Sequence, residues 1–320
     1  MLNRKYIPIL VTFGLLAAMF AAGSFRYTGF FSAQVLYNLL IDNSFLIITA
    51  VGMTFVIISG GIDLSVGSVI ALTTMLCASL VEQQGWSPAV VIPMVLILGS
   101  LFGTLMGAII HYFKIQPFIV TLAGMFLARG VCYIISINTI TVTNGFFTKV
   151  AQTKVILPGG NISINVIIAL ALVLAAIFLA HYTRFGRNVY AIGGSEQSAL
   201  LMGLPVARTK ILVYAFSGFC SALAGVVFTF YMLSGYGLHA MGLELDTIAA
   251  VVIGGTLLTG GVGYIAGTFI GVLIQGVIQT IISFEGTLSS WWTKIVIGLL
   301  LFVFILFQRL LSERRITLKT

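Results

Sequence analysis

Apolar residues in this chain come in long blocks instead of alternating, and polar, glycine or proline clusters punctuate them. The breaks leave ten apolar segments, near 6–24, 33–59, 64–81, 88–112, 117–136, 163–181, 211–233, 244–258, 262–284 and 290–309. A helix that crosses a bilayer needs roughly 20 such residues. Unbroken runs such as Ile295 to Phe307 do not fit a transmembrane barrel, whose short strands alternate. The pattern therefore predicts an all-α integral membrane protein of about ten transmembrane helices, some short or broken. It forms one transmembrane domain over 1–320, with a polar loop at 182–210.

Composition agrees. The chain has 320 residues, 59% hydrophobic and only 8% charged, with a mean hydropathy of +1.14. A soluble domain carries about a quarter charged residues. The formal net charge of +8 is read by position, as topology and not as a nucleic-acid surface. With a cytoplasmic N-terminus, the inner side holds Arg4, Lys5, Lys114, Arg184, Arg187, Arg208, Lys210, Arg309, Arg314, Arg315 and Lys319, which is 11 of the 16 basic residues. Arg26, Lys149, Lys154 and Lys294 fall outside, and Arg129 sits within a segment, where it is expected to pair with a carboxylate or to snorkel. The positive-inside rule then puts both termini in the cytoplasm. Cys77, Cys132 and Cys220 stand singly in apolar runs, so neither a metal site nor a disulfide framework is expected. The apolar stretch after Arg4 and Lys5 reads as a first span and not as a cleaved leader.

One internal match is visible. Gly99, Gly103, Thr104, Gly107 and Ile110 correspond to Gly263, Gly267, Thr268, Gly271 and Ile274. The two segments run in opposite directions, so repeat halves of about 1–160 and 161–320 are one reading. The other is that glycine at every fourth position makes a seam where membrane helices approach closely.

Two interruptions carry candidate function. Ser59, Gly60, Gly61, Ile62, Asp63, Leu64 and Ser65 break a segment, and the backbone groups this frees are tolerated at membrane depth only inside protein or along a water-filled cavity. Asp63 either faces such a path or caps the helix that follows; the two roles are compatible. A second break, Thr259, Gly260, Gly261, Val262 and Gly263, follows Thr247 to Leu258, a segment too short for an ordinary span unless Glu244 and Asp246 extend it; Gly254, Gly255 and Thr256 within that segment are further candidate path residues. Asn38, Asp42 and Thr49 fall on one helical face, suited either to hydroxyl groups in transit or to bonds between helices. Gln275 and Gln279 extend the second glycine row with the same two readings.

The most specific feature is polar. Gly193 and Gly194 lead into Ser195, an N-cap type, then Glu196, Gln197 and a short apolar run that Gly203 and Pro205 close. A two-turn helix does not stand alone in water, so Glu196 to Met202 should dock, either on the membrane surface through Leu200, Leu201 and Met202 or in a groove of a partner ATPase. The candidate coupling residues are Arg187, Tyr190, Gly193, Gly194, Ser195, Glu196, Ala199, Met202 and Gly203. No GxxxxGK[ST] motif occurs, and neither an HExxH nor a Ser-His-Asp pattern is visible, so no catalytic residue, metal or cofactor is expected in this chain.

These residues resemble the permease subunits of bacterial carbohydrate ABC importers of the ribose, xylose and galactofuranose type. The matching stretches are Ser59 to Ala71, Pro117 to Gly124, Arg184 to Gly203 and Leu245 to Gly263, and the tail Phe284 to Gln308 looks most like a galactofuranose permease. The family has Asn where this chain has Ser195, and both can cap a helix. The resemblance implies a non-enzymatic subunit in the bacterial inner membrane. It also implies a second, different permease chain, a cytoplasmic ABC ATPase and a periplasmic sugar-binding protein, with a sugar such as galactofuranose moved by alternating access. Two other classes stay open on the residues alone: a proton-coupled secondary transporter using Asp63 or Asp42, and a membrane enzyme acting on lipid-linked sugars through Glu244 and Asp246.

Overall fold

The computed structural model describes residues 7–289 and 291–317. Its helices are α1 (Ile7–Arg26), α2 (Ala33–Asp42), α3 (Ser44–Ile58), α4 (Val66–Ala78), α5 (Pro88–Tyr112), α6 (Pro117–Ile135), α7 (Gly145–Gln152), α8 (Ile164–Tyr182), α9 (Arg184–Gly194), α10 (Glu196–Leu201), α11 (Val206–Met232), α12 (Leu243–Ile253), α13 (Ile265–Glu285) and α14 (Trp291–Thr317). Two minimal antiparallel sheets join them: β1 (Ile140–Thr141) with β4 (Ser234–Gly235), and β2 (Lys154–Leu157) with β3 (Gly160–Ser163). Arg4, Lys5 and Lys319 of the charge count lie outside the described residues.

Each predicted segment contains a helix. Among the described residues seven helical stretches are long and apolar enough to cross a membrane, α4 counting together with the π-helical turn Ser79–Gln83 that continues it, and α2 with α3, bent by 56°, makes an eighth if the pair is one span. The other two are shorter: α12 has 11 residues, and the apolar part of α14 is Trp291–Leu306. Local chemistry sets the boundaries. Pro88 and Pro117 start α5 and α6, where a missing N–H costs nothing. Asn43 folds its amide back onto the Leu39 carbonyl (2.9 Å) at the α2–α3 bend.

Helix α3 is the centre: every residue from Ser44 to Ile58 except Phe45 is buried, against α8, α11, α12 and α13. The outer helices α5, α6 and α8 instead expose Ile97, Leu101, Leu105, Phe118, Phe126, Leu174 and Phe178, a surface suited to hydrocarbon. Both glycine rows are close-crossing seams. A Cβ on Gly103 would lie 2.1 Å from the Tyr214 carbonyl of α11, and one on Gly271 would lie 2.1 Å from the Ala250 carbonyl of α12.

After α11 the chain leaves helical geometry at Leu233 (φ 49) and turns back along α4. Gly235 lies against Thr74 and Ala78, and Ala240 against Gly67. This non-helical stretch explains Arg129. Its guanidinium donates to the backbone carbonyls of Gly237 (2.5 Å) and His239 (2.7 Å), with no carboxylate within bonding distance among the described residues. Carbonyls freed from a helix at this depth need donors, and Arg129 supplies two bonds from one nitrogen. The three cysteines are buried and free.

Candidate coupling site and polar path

Helix α10 forms where the sequence places it. Ser195 has extended backbone, and its hydroxyl accepts from Ser198 N (3.2 Å). Gly203 takes the left-handed conformation (φ 76) that ends the helix, with Leu204 N donating to the Ala199 carbonyl (3.1 Å). Ala199 is buried with Ile192, Leu204 and Val206, and Lys210 donates to Glu196 (2.6 Å). One face is thus pinned to the protein. The other presents Leu200, Leu201 and Met202, which are 64%, 83% and 67% exposed, to the outside.

The preceding helix, α9, is not among the elements the sequence pattern predicts, which place 184–194 in the polar loop. Its signal was present: Thr183 caps it by accepting from Gly186 N (3.2 Å), and Val189 and Ile192 are buried on one face. Two glycines at its end and basic residues at its start masked a short amphipathic helix. Arg187 lies on its exposed side.

Helix α9 carries Gly193 into a junction of three chain breaks. Helix α3 ends at Ile58, followed by Gly60 (φ 85) and Gly61; α12 ends at Ile253, followed by Gly255, Gly260 and Gly261, all left-handed. Gly261 N donates to the Ile58 carbonyl (2.8 Å). A Cβ on Gly193 would lie 1.7 Å from that same carbonyl and 2.6 Å from Gly261 N. Three Gly-Gly pairs far apart in the sequence, Gly60–Gly61, Gly193–Gly194 and Gly260–Gly261, therefore meet as bare backbone, with Gly194 beside Gly261. Tyr190 fastens the junction by donating its hydroxyl to the Gly263 carbonyl (2.7 Å). Burial pushes that hydroxyl up to about 12, so it stays a donor at neutral pH. Gly254 and Thr256 are buried at the α12 end of the junction and Gly255 is half-buried.

Asp63 organises the α3–α4 break. Its Oδ1 accepts from Ser65 N (3.0 Å) and Ser65 Oγ (2.6 Å), and its Oδ2 accepts from Ser217 Oγ of α11 (2.7 Å). It is 1% exposed, so in this conformation the carboxylate holds a turn and ties it to α11. Ser59 turns its hydroxyl onto the Val56 carbonyl (2.7 Å).

The proposed stripe is divided by the α2–α3 bend. Thr49 is buried on α3, bonded to the Phe45 carbonyl (2.8 Å). Asn38 and Asp42 are exposed on α2, at the end of the molecule opposite α10. There the β2–β3 hairpin is fastened to α2 through Gln34 and Asn161 (3.0 Å) and Tyr37 and Pro158 (3.0 Å). Tyr231, which no local pattern singles out, donates to Asp42 Oδ1 (3.1 Å). Two clefts of about 530 and 390 Å³ flank that bond and share Asn38 and Tyr231. Among the described residues no cluster of metal-ligating side chains occurs.

This architecture of seven to eight spans around a buried central helix is that of a transport subunit, and the chain belongs to the family described as branched-chain amino acid transport system permease component, which matches residues 35–305. It is 50% identical to the inner membrane ABC transporter permease protein YjfF of Escherichia coli K12, over 96% of this chain and 93% of that one. It is 40% identical to the fructose import permease protein FruG of Bifidobacterium longum, over 96% and 92%. Identity to the ribose import permease protein RbsC of E. coli K12 is 39%, over 83% of both chains. No solved structure matches it. The chain is thus a multi-pass, non-enzymatic permease component of an ABC transporter.

Proposed function

We propose that this chain is one of two membrane subunits of a bacterial sugar importer, driven by a cytoplasmic ATPase that docks on α10 and fed by a periplasmic sugar-binding protein. The sugar is galactofuranose or a related monosaccharide, and the second permease is a different but related chain. The sugar class rests on the relatives, whose names include fructose and ribose import. The choice of galactofuranose and of a heterodimer rests on the resemblance of the tail Phe284 to Gln308. Both termini lie in the cytoplasm, which puts α10 there too and the β2–β3 hairpin outside.

The observation that carries this reading is α10 itself: a capped, six-residue helix fixed on one side and apolar on the other. Its fixed side leads through α9 to the glycine junction, where the ends of α3 and α12 meet without intervening side chains. Movement of α10 by the ATPase is thereby delivered to the two breaks that bound the central helices, which reopens the path by alternating access. Of the two carboxylates an ion-coupled carrier could use, Asp63 is held in the interior by three hydrogen bonds, and Asp42 lies on α2 at the end of the molecule away from α10, bonded to Tyr231.

The test is uptake by the assembled importer carrying Glu196→Arg or Gly203→Val. The first sets two cations together at Lys210; the second forces a β-branched residue into a left-handed conformation, which costs on the order of 1–3 kcal/mol. Both variants are expected to insert normally and to lose most transport. Unchanged uptake in both rules out the coupling role.

A further inference from the structure

We propose that the 390 Å³ cleft beside the Asp42–Tyr231 bond is a water-filled vestibule that accepts a neutral monosaccharide and turns away anionic sugars, with Asp42 as the discriminating group. This deepens the sugar-permease reading and rests on it. The cleft is formed by spanning helices: α2 gives Asn38 and Asp42, α11 gives Tyr231, and α13 gives Gln279, Thr280 and Ser283. Asn38, Asp42 and Ser283 are exposed. Polar groups on the outer surface of spanning helices are tolerated only against water or protein, so this face does not lie on hydrocarbon.

The chemistry of the lining suits hydroxyl groups. Amides, hydroxyls and one carboxylate offer both donors and acceptors, and the Tyr231 ring, held 6.1 Å from Phe45, gives an aromatic wall. The volume exceeds what one monosaccharide occupies and falls at the lower end of ordinary small-molecule pockets, about 300–1,000 Å³. Asp42 is the one formally charged side chain on this lining among the described residues. Lys154 stands in the adjoining cleft, and Lys294 is engaged by Asp246. A sugar hydroxyl can therefore donate to Asp42, whereas a carboxylate or phosphate meets an uncompensated negative charge.

Ser283→Cys reads this in the assembled importer, because the native Cys77, Cys132 and Cys220 are buried. In permeabilised membranes, cationic trimethylammonium-ethyl and anionic sulfonato-ethyl methanethiosulfonates are compared, each rate taken relative to its rate on a free thiol. The expected result is labelling by both, with the cation favoured by on the order of three- to tenfold and the preference lost in Ser283→Cys with Asp42→Asn. Ribose, xylose or galactose should slow labelling while their aldonates do not, and the aldonates should gain protection in the Asp42→Asn background. Labelling only by a lipid-soluble maleimide, a charge preference untouched by Asp42→Asn, or no difference between sugars and aldonates overturns the proposal. The charge comparison uses no sugar, so its failure is distinct from a failure of uptake.

Discussion

Asp63 accepts three hydrogen bonds while buried, so its shape matters more than its charge. Asp63→Asn keeps the acceptor towards Ser65, and Ser217 can reverse its hydroxyl; near-normal transport is expected. Asp63→Leu leaves those donors unpaired in the interior, at about 1–3 kcal/mol each, and should lower the melting temperature of the purified complex sharply. Gly193→Ala is expected to be worse than an ordinary glycine replacement, because the new methyl meets backbone at 1.7 Å and backbone cannot rotate away; thermal unfolding with loss of transport is the readout. Tyr190 gives a pH test. Its hydroxyl, ordinarily near 10, is held at about 12 by burial, so the folded state keeps a proton that the unfolded state loses. Its contribution is complete below pH 10 and disappears as pH rises from 10 to about 12. Tyr190→Phe should therefore flatten the stability loss across that window, and an identical alkaline profile would contradict the assignment.

At the scale of elements, what could be read in advance was whatever a local pattern determines. The long spans follow from apolar length, and α10 follows from Ser195, Glu196, Gly203 and Pro205, each of which acts within one turn of chain. The misses have a common physical cause. Helix α9 is short and ends in two glycines, so its propensity argued against it, and packing of Val189 and Ile192 decided for it. The retreat of the chain between α11 and α12 depends on Arg129, which is more than a hundred residues away. The Asp42–Tyr231 bond likewise joins distant helices. The meeting of three Gly-Gly pairs is a tertiary fact, although the pairs themselves were conspicuous. The role of Arg129 gives an element-scale prediction. Arg129→Gln leaves the carbonyls of Gly237 and His239 short of donors, and should loosen the 233–242 stretch, seen as faster amide exchange there with α5 unaffected.

The whole molecule joins two unlike ends of a membrane protein. One end presents α10; the other presents the β2–β3 hairpin and the polar cleft on α2. Between them lies α3, buried along nearly its whole length, meeting the glycine junction at Ile58 and the polar cleft near Asn43. The proposed conversion of an ATPase stroke into opening of a path would run through these packed helix ends, not through a chain of charges. The claim on which everything rests is that α10 is where the ATPase binds. The most direct measurement is affinity purification of the tagged chain from its native membrane in mild detergent, with stoichiometric partners identified by mass spectrometry, for the wild type and for Leu201→Glu. A Walker-motif ATPase and a second permease should accompany the wild type, and Leu201→Glu should keep the permease but lose the ATPase. Recovery of the ATPase undiminished with Leu201→Glu, or a wild-type chain that purifies alone under conditions preserving a known ABC complex, would contradict that claim.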